Sequence, residues 1–513
     1  MKPQPTNRGR ALALLLTIAV IAPATLAFAQ TAAPQAGPMV FLPFVAKAGV
    51  STQPTTPTVP PTTPTTPPTT PTQPTPQPPA KNGFFALSDW LTYNAATAID
   101  AQGGMHLAFY TSDERHQDEP RNQAAYYAYC GAGTAACADP SKWSNLVMMD
   151  NQANEVQIAA TADGRPRLLV RRNGSRGYEY DYWACETDCT NAQNWSGLFV
   201  TEAAGVDLNS ATAPQHSFAL DAQGRPRFAW GNGWGNGRRH GLYYTFCDEA
   251  DCTQLDTWQH TLLATLDDKT VSADYSSLVF DGDKPRFLTR INYSGLPVEV
   301  RYYACDFDCG SQANWGYSAL PYPEDKQWVS WDLALDAQGR PRVALYEPPG
   351  IDITVGGRLF YATCDSDCAG GGTPFQLTHV ASGEGKSVDL EIDAAGRTHM
   401  VYDAGQRGVL GELWCDAGCA DAGAWQRRIL ETTEGLSADL APASPLTCDQ
   451  QERVWFDALP QVSFDAQGKM VVAYDAVNYA RCYFIDPADP THRIYSQVKR
   501  IWWGVRLAQF TQP

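Results

Sequence analysis

Positive charge is scarce in this chain. Its 513 residues carry 38 Lys and Arg against 55 Asp and Glu, a net charge of −17 with histidine neutral. A phosphate backbone calls for a basic surface, so this balance argues against a nucleic-acid partner, while a charge this far from zero favours solubility. Long apolar runs are missing too. Beyond the first 29 residues no segment is apolar for long enough to span a bilayer, and no cysteine stands near the N-terminus to take a lipid. There is no GxSxG, no HExxH and no phosphate-binding loop, and helical periodicity is rare.

What the chain does have is one phrase, repeated. SFALDAQGRPRFAW (217–230) places an alternating apolar run before Asp-Ala-Gln-Gly and another after it, which reads as strand, tight turn, strand. Related phrases have their turn residues at Asp100, Thr161, Asp221, Asp281, Asp336, Asp393 and Asp465, with spacings of 61, 60, 60, 55, 57 and 72 residues. A period in this range signals a repeat architecture. Each unit continues with a second half, such as LYYTFCDEADC at Cys247 or RLFYATCDSDC at Cys364, and then an aromatic-led apolar run at Trp143, Trp195, Trp258, Trp315, Phe375 or Trp425. Four short antiparallel strands repeated seven times predict an all-β fold, a seven-bladed β-propeller. Residues 84–93 are candidates for a strand that latches the ring.

The propeller occupies 84–513. Ahead of it, 1–29 reads as a secretory signal peptide: Lys2, Arg8 and Arg10, an apolar stretch from Ala11 to Val20, and Ala27-Phe28-Ala29 as the cleavage site. Residues 30–50 form a short post-signal segment, and 51–83 is a Thr/Pro-rich linker with nothing apolar to bury. The expectation is a secreted or cell-surface monomer with no membrane span in the mature chain.

The chain has 14 cysteines. Six local pairs stand out, Cys130/Cys137, Cys185/Cys189, Cys247/Cys252, Cys305/Cys309, Cys364/Cys368 and Cys415/Cys419, leaving Cys448 and Cys482 to pair around the seventh unit. An even count in an exported protein predicts seven disulfides, and one pair per unit supplies too few ligands for a thiolate metal site. Loops this short gain little chain-entropy stabilisation, so the role expected of the bonds is to protect blade edges. No metal ligands are assigned. Calcium at the acidic hairpins, for example Asp306 and Asp308, is the one cofactor considered.

Alternation puts the first-to-second turns and the third-to-fourth hairpins on one face, uniform from unit to unit. The opposite face carries loops that differ in every unit, which is where binding residues concentrate on a scaffold. Candidates there are Arg171, Arg172, Tyr178, Trp234, Arg239, His240, Arg290, Trp328, Trp331, Asp403, Trp455 and Asp475. Loop residues Glu114, Arg115, His116, Arg176, Arg238, Asp267, Asp268, Tyr275, Glu324 and Asp325 add to this face. Aromatic faces stack on sugar rings and charged forks bind hydroxyls or carboxylates, so the partner expected is a glycan or an extracellular protein. Counting from each turn predicts that Arg171 and Arg290 face Asp403 and Asp475 around the channel mouth, with Tyr110 and Tyr346.

The repeat as a whole, LALDAQGRPRVALY followed by LFYATC and a Trp-led strand, resembles the bacterial sialidase-like propeller repeats. The resemblance covers 84–513 and implies the fold. It lacks the S-x-D-x-G-x-T-W Asp box, and its Asp-Ala-Gln-Gly sits in a different turn of the blade, so it implies no activity. On paper Arg171, Arg239 and Arg290 with Tyr110 and Asp475 would supply a sialidase's groups. The reading reached from sequence is a ligand-binding propeller without a catalytic motif; a glycoside hydrolase or lyase and a structural display module are the alternatives.

Overall fold

The computed structural model describes residues 80–85, 92–111, 123–150, 152–174, 177–204, 216–232, 240–265, 272–292, 299–321, 328–348, 357–372, 374–384, 387–404, 410–432, 451–456, 459–487 and 489–510. The expected signal peptide and nearly all of the expected linker lie outside them. The chain is all-β. Six sheets have four antiparallel strands each, joined in sequence order, and a seventh closes the ring.

Blade 1 runs Thr92–Ile99, Met105–Thr111, Ala125–Cys130 and Val147–Asp150; blade 2 runs Ala153–Ala160, Pro166–Asn173, Gly177–Cys185 and Trp195–Ala204. Blade 3 is Phe218–Leu220, Pro226–Asn232, Gly241–Cys247 and Trp258–Thr265; blade 4 is Ser272–Asp281, Lys284–Asn292, Glu299–Cys305 and Trp315–Ala319. Blade 5 is Ser330–Leu335, Pro341–Glu347, Gly357–Thr363 and Gln376–Glu384; blade 6 is Val388–Ile392, Thr398–Asp403, Leu410–Cys415 and Gln426–Glu431. Blade 7 takes Gln461–Phe464, Met470–Asp486 and Asp489–Phe510, and its outermost strand is Ala80–Phe85, paired Gly83 to Leu507 and Phe85 to Val505. The closing strand thus begins at Ala80, ahead of the boundary at 84 that composition suggests. Gln451–Phe456 adds a strand beside the long second strand of blade 7.

The first strands contact one another in order, and that of blade 7 returns to blade 1. They therefore line the axis. Between neighbouring blades lie seven apolar clusters, one per interface. The tryptophans that open the fourth strands of blades 2, 3 and 4 set this packing. Trp195, Trp258 and Trp315 each lie edge-on or tilted against a tyrosine of the preceding blade, Tyr127, Tyr182 and Tyr244, with ring centroids 4.9, 5.2 and 4.9 Å apart. Each indole N–H also donates to the carbonyl of the second cysteine in its own hairpin, at 2.9 Å in all three cases.

Six expected disulfides are formed: Cys130–Cys137, Cys185–Cys189, Cys247–Cys252, Cys305–Cys309, Cys364–Cys368 and Cys415–Cys419. Cys482 is disulfide-bonded as well, while its expected partner Cys448 lies outside the described residues. These bonds also bear on how neighbouring blades meet. The second cysteine of each pair packs into an interblade cluster: Cys137 and Cys252 are buried there, and Cys189, Cys309, Cys368 and Cys419 lie half-buried against theirs. Each bond therefore folds its hairpin over the seam between two blades, where the sulfur acts as a small apolar filler.

The repeated phrase is a structural joint. Asp221 Oδ1 accepts the backbone N–H of Gln223 and Arg225 at 3.0 and 2.9 Å, and Gly224 takes a φ of 76° that a side chain would resist. Arg225 donates from Nε to Asp221 Oδ2 at 2.8 Å. Arg227 then ties the turn to the hairpin: it donates to Asp221 at 2.7 Å, to Asp248 at 2.6 Å and to the Cys247 carbonyl. Arg342 repeats this in blade 5, and Arg167 and Arg286 make the carbonyl and acidic-hairpin contacts in blades 2 and 4. In blades 1 and 6 the same position is a buried histidine, His106 or His399, set against Asp100 or Asp393. The first acidic residue of a hairpin, considered above as a calcium ligand, is thus bound to arginine at Asp248, Asp306 and Asp365.

Candidate functional site: the axial cluster

An innermost strand turns one hydrogen-bonding edge toward the axis, where no further strand can pair with it. Side chains of the neighbouring blade supply the missing acceptors. The N–H of Phe218 donates to Gln157 Oε1 at 2.8 Å, that of Leu333 to Ser277 Oγ at 3.2 Å, and that of Val388 to Ser330 Oγ at 3.1 Å. Leu390 N–H donates to Asp332 Oδ2 at 2.8 Å, Val462 N–H to Asp389 Oδ2, and Thr97 N–H to Gln461 Oε1 at 3.1 Å. These contacts explain why polar side chains alternate with apolar ones in strands whose surroundings are buried.

Where first strands begin, on the variable face, this belt gathers charge. His216, just ahead of the first strand of blade 3, brings Nε2 to 3.3 Å from Asp389 Oδ1 of blade 6. The ligand atoms of His216, Asp332 and Asp389 all lie within 4.8 Å of one another. Asp332 Oδ1 accepts the Ser277 hydroxyl at 2.7 Å. On the other side Gln157 donates to Glu155 Oε1 at 2.8 Å and to Ser217 Oγ at 2.9 Å, and Arg171 closes on Glu155 at 2.8 Å with its guanidinium over Tyr178, 4.2 Å from the ring centroid. Blades 2 to 6 therefore converge in one polar cluster.

Burial and the adjacent Asp332 carboxylate hold Asp389 well above the usual carboxylate range. Half-buried Glu391 is pushed up to about 8 by burial first and Asp332 second. Burial also raises Glu155, opposed by Arg171, by the Gln157 hydrogen bond and by His216. Between blades 1 and 2 a further carboxyl group, Asp181, is pushed up to about 7 by burial, against the pull of Arg172 and with the help of Asp150.

The residues singled out from sequence are dispersed. Arg171, Arg172 and Tyr178 stand together in blade 2, with Arg172 Nε paired by charge with Glu179 at 2.8 Å and Asp181 at 3.1 Å. Trp328 and Trp331 are buried in the apolar cluster between blades 4 and 5 and present no face to a ligand. Asp475 accepts the N–H of Asn94 at 2.8 Å, so it joins blade 7 to blade 1; Asp403 is buried at the end of its strand. His240 and Arg290 are half-buried at strand ends on the variable face. Trp455 lies in the added strand Gln451–Phe456. Trp234 and Arg239 lie outside the described residues, as do Glu114, Arg115, His116, Arg176, Arg238, Asp267, Asp268, Glu324 and Asp325. The pairing expected between arginines of blades 2 and 4 and aspartates of blades 6 and 7 is replaced, for Arg171, by Glu155 of its own blade. The six hairpin disulfides stand between third and fourth strands on the uniform face, Cys482 lies in the long strand Met470–Asp486, and neither takes part in the axial cluster.

Glu155, His216, Asp332, Asp389 and Glu391 were not singled out by sequence reasoning. The signal was there: SWDLAL puts one carboxylate, and SVDLEI two at alternate positions, into first strands, where a doubly covered strand should be apolar. A cleft of about 420 Å³ on the opposite, uniform face is lined by Arg165, Arg167, Glu186, Arg225 and Asp251 among others. Its charges are largely satisfied, with Arg165 bound to Asp163 at 2.8 Å and Arg225 to Asp221, so the axial cluster is the better candidate.

No protein-family model matches the sequence, and no curated protein does. Among solved structures, the GH93 α-L-arabinofuranosidase of Fusarium graminearum aligns with 84% of this chain and 97% of its own, at 8% identity and a TM-score of 0.47. A Dyadobacter fermentans protein of unknown function covers 84% of this chain and 98% of its own, at 12% identity and a TM-score of 0.45. A PL25 ulvan lyase covers 76% and 92%, at 11% identity and 0.42. Similarity at this level transfers none of these proteins' substrates. On its own strands and closure, this chain is a seven-bladed β-propeller.

Proposed function

We infer that this chain is an exported propeller that binds a carbohydrate at the axial mouth of its variable face. One observation carries the reading: donors and acceptors from several blades converge at that mouth, with His216 26% exposed in its side chain and Asp389 and Asp332 held behind it. A sugar hydroxyl asks for a donor and an acceptor side by side, and the imidazole against buried carboxylates offers that arrangement on a backing already fixed by hydrogen bonds. Six disulfides favour an oxidising compartment.

A catalytic version of the same reading, hydrolysis or elimination of the bound glycan, draws support from the His216–Asp389 contact, since an imidazole beside a carboxylate suits proton transfer. Titration of the intact chain with a panel of neutral and acidic oligosaccharides, with product analysis, tests both. Binding that weakens at least about tenfold in His216→Ala supports the site, a change equal to losing one well-made polar contact. A folded wild type that ignores the whole panel, or a His216→Ala variant that binds as wild type does, overturns it. Released fragments that disappear in Asp389→Asn would favour catalysis, and binding without fragments would favour a lectin-like role.

A further inference from the structure

We propose that His216, Asp332 and Asp389 form a binding site for a divalent transition-metal ion of the zinc class, a site that sequence reasoning did not assign. This goes beyond carbohydrate binding and stands on its own geometry.

The first support is the donor set. One imidazole nitrogen and two carboxylates, drawn from blades 3, 5 and 6, bring their ligand atoms within 4.8 Å of one another. Zinc binds such N and O ligands at about 2.0–2.2 Å, which puts neighbouring ligand atoms of a tetrahedral site about 3.3–3.6 Å apart. His216 Nε2 and Asp389 Oδ1 are separated by 3.3 Å. A small inward movement of Asp332 completes three protein ligands, leaving the fourth position to water or ligand, as in zinc sites that do chemistry.

The second support is independent of the first. The Asp389 side chain is 2% exposed, yet among the described residues its Oδ1 has no hydrogen-bond partner, and neither has His216 Nε2. They are close but misaligned for a hydrogen bond to each other, as expected if both aim at a common point. An unsatisfied buried carboxylate oxygen is costly, and a cation between the two atoms would remove the cost.

The remaining contacts hold these ligands in place. Val462 N–H binds the other oxygen of Asp389, while the Ser277 hydroxyl and Leu390 N–H bind the two oxygens of Asp332. Such outer contacts orient carboxylates toward a metal. The imidazole selects for zinc-class ions over calcium and magnesium, which prefer oxygen throughout.

The test uses the intact, untagged chain, stripped with chelator, reloaded with Zn²⁺, dialysed and assayed by elemental analysis and calorimetry. The expected result is one Zn²⁺ per chain, Zn²⁺ held more tightly than Ca²⁺, and affinity lower by about 100-fold or more in His216→Phe, since even outer-shell changes cost 10–100-fold. Asp389→Asn should lose the ion as well, and Asp308→Asn on an exposed hairpin should keep it. Circular dichroism identifies folded variants; if His216→Phe misfolds, Asp389→Asn decides. A folded wild type that retains no zinc, or zinc retained undiminished by a folded cluster variant, overturns the proposal.

Discussion

Replacing Trp258 by alanine tests the account of what holds one blade to the next. The side chain is 6% exposed between blades 2 and 3, edge-on to Tyr182 at 5.2 Å and Phe228 at 6.0 Å, and its indole N–H donates to the Cys252 carbonyl at 2.9 Å. Truncating a buried tryptophan costs about 3–5 kcal/mol through lost transfer energy and the cavity left behind. Leaving the Cys252 carbonyl without its donor adds about 1 kcal/mol. The sum is a large share of a typical stability of about 5–15 kcal/mol. Trp258→Phe keeps a ring in the gap but loses the donor and some volume, so about 1–3 kcal/mol is expected. Leu255, 52% exposed three residues earlier, is the control, and Leu255→Ala should stay within about 0.5 kcal/mol of wild type. Guanidinium unfolding followed by circular dichroism ranks the four proteins. A Trp258→Ala variant no less stable than Leu255→Ala would refute the interblade role.

Two other predictions concern the repeated joint. Arg227→Ala should cost about 3 kcal/mol or more, because it strips a partner from the buried Asp221 carboxylate and from the Cys247 carbonyl. Arg227→Lys should recover only part of this, as one ammonium cannot reproduce the planar fork; calorimetric melting compares them. At the matching place in blade 1, burial lowers His106 to about 4, against opposition from Asp100. A base whose folded value is depressed loses stability as pH falls from about 6.5 to 4, here by up to about 3 kcal/mol, and the loss is absent above that window. The stability difference between wild type and His106→Gln should therefore shift against wild type over that range. A difference flat with pH would contradict the assignment.

The repeat was legible because its cause is local. Asp221 bonding its own turn and Gly224 at positive φ depend on residues within a few positions, so they recur as text. The count of blades, the four-strand unit and six disulfide pairs follow from that text. What could not be read depends on distance along the chain. His216 meets Asp389 only because the ring closes, and no pattern near either residue announces the other. The pairing of Cys185 with Cys189 is visible in their spacing, but the seam that Cys189 packs against belongs to two blades at once. Trp328 and Trp331 look, in sequence, like aromatic groups on a binding face, since a core plug and a sugar platform are the same residue type; only the packing of blade 4 on blade 5 distinguishes them. The closing strand Ala80–Phe85 was partly hidden by the Thr/Pro-rich stretch it adjoins.

The central claim is that the axial mouth, and not the rim or the uniform face, receives the ligand. A crystal structure of the intact chain with the tightest-binding oligosaccharide of the panel tests it most directly. The expected result is sugar at the axis within hydrogen-bonding distance of His216, backed by Asp389 and Asp332. Sugar lodged at the uniform face by Arg165 and Arg225, with the axial residues untouched, would contradict it.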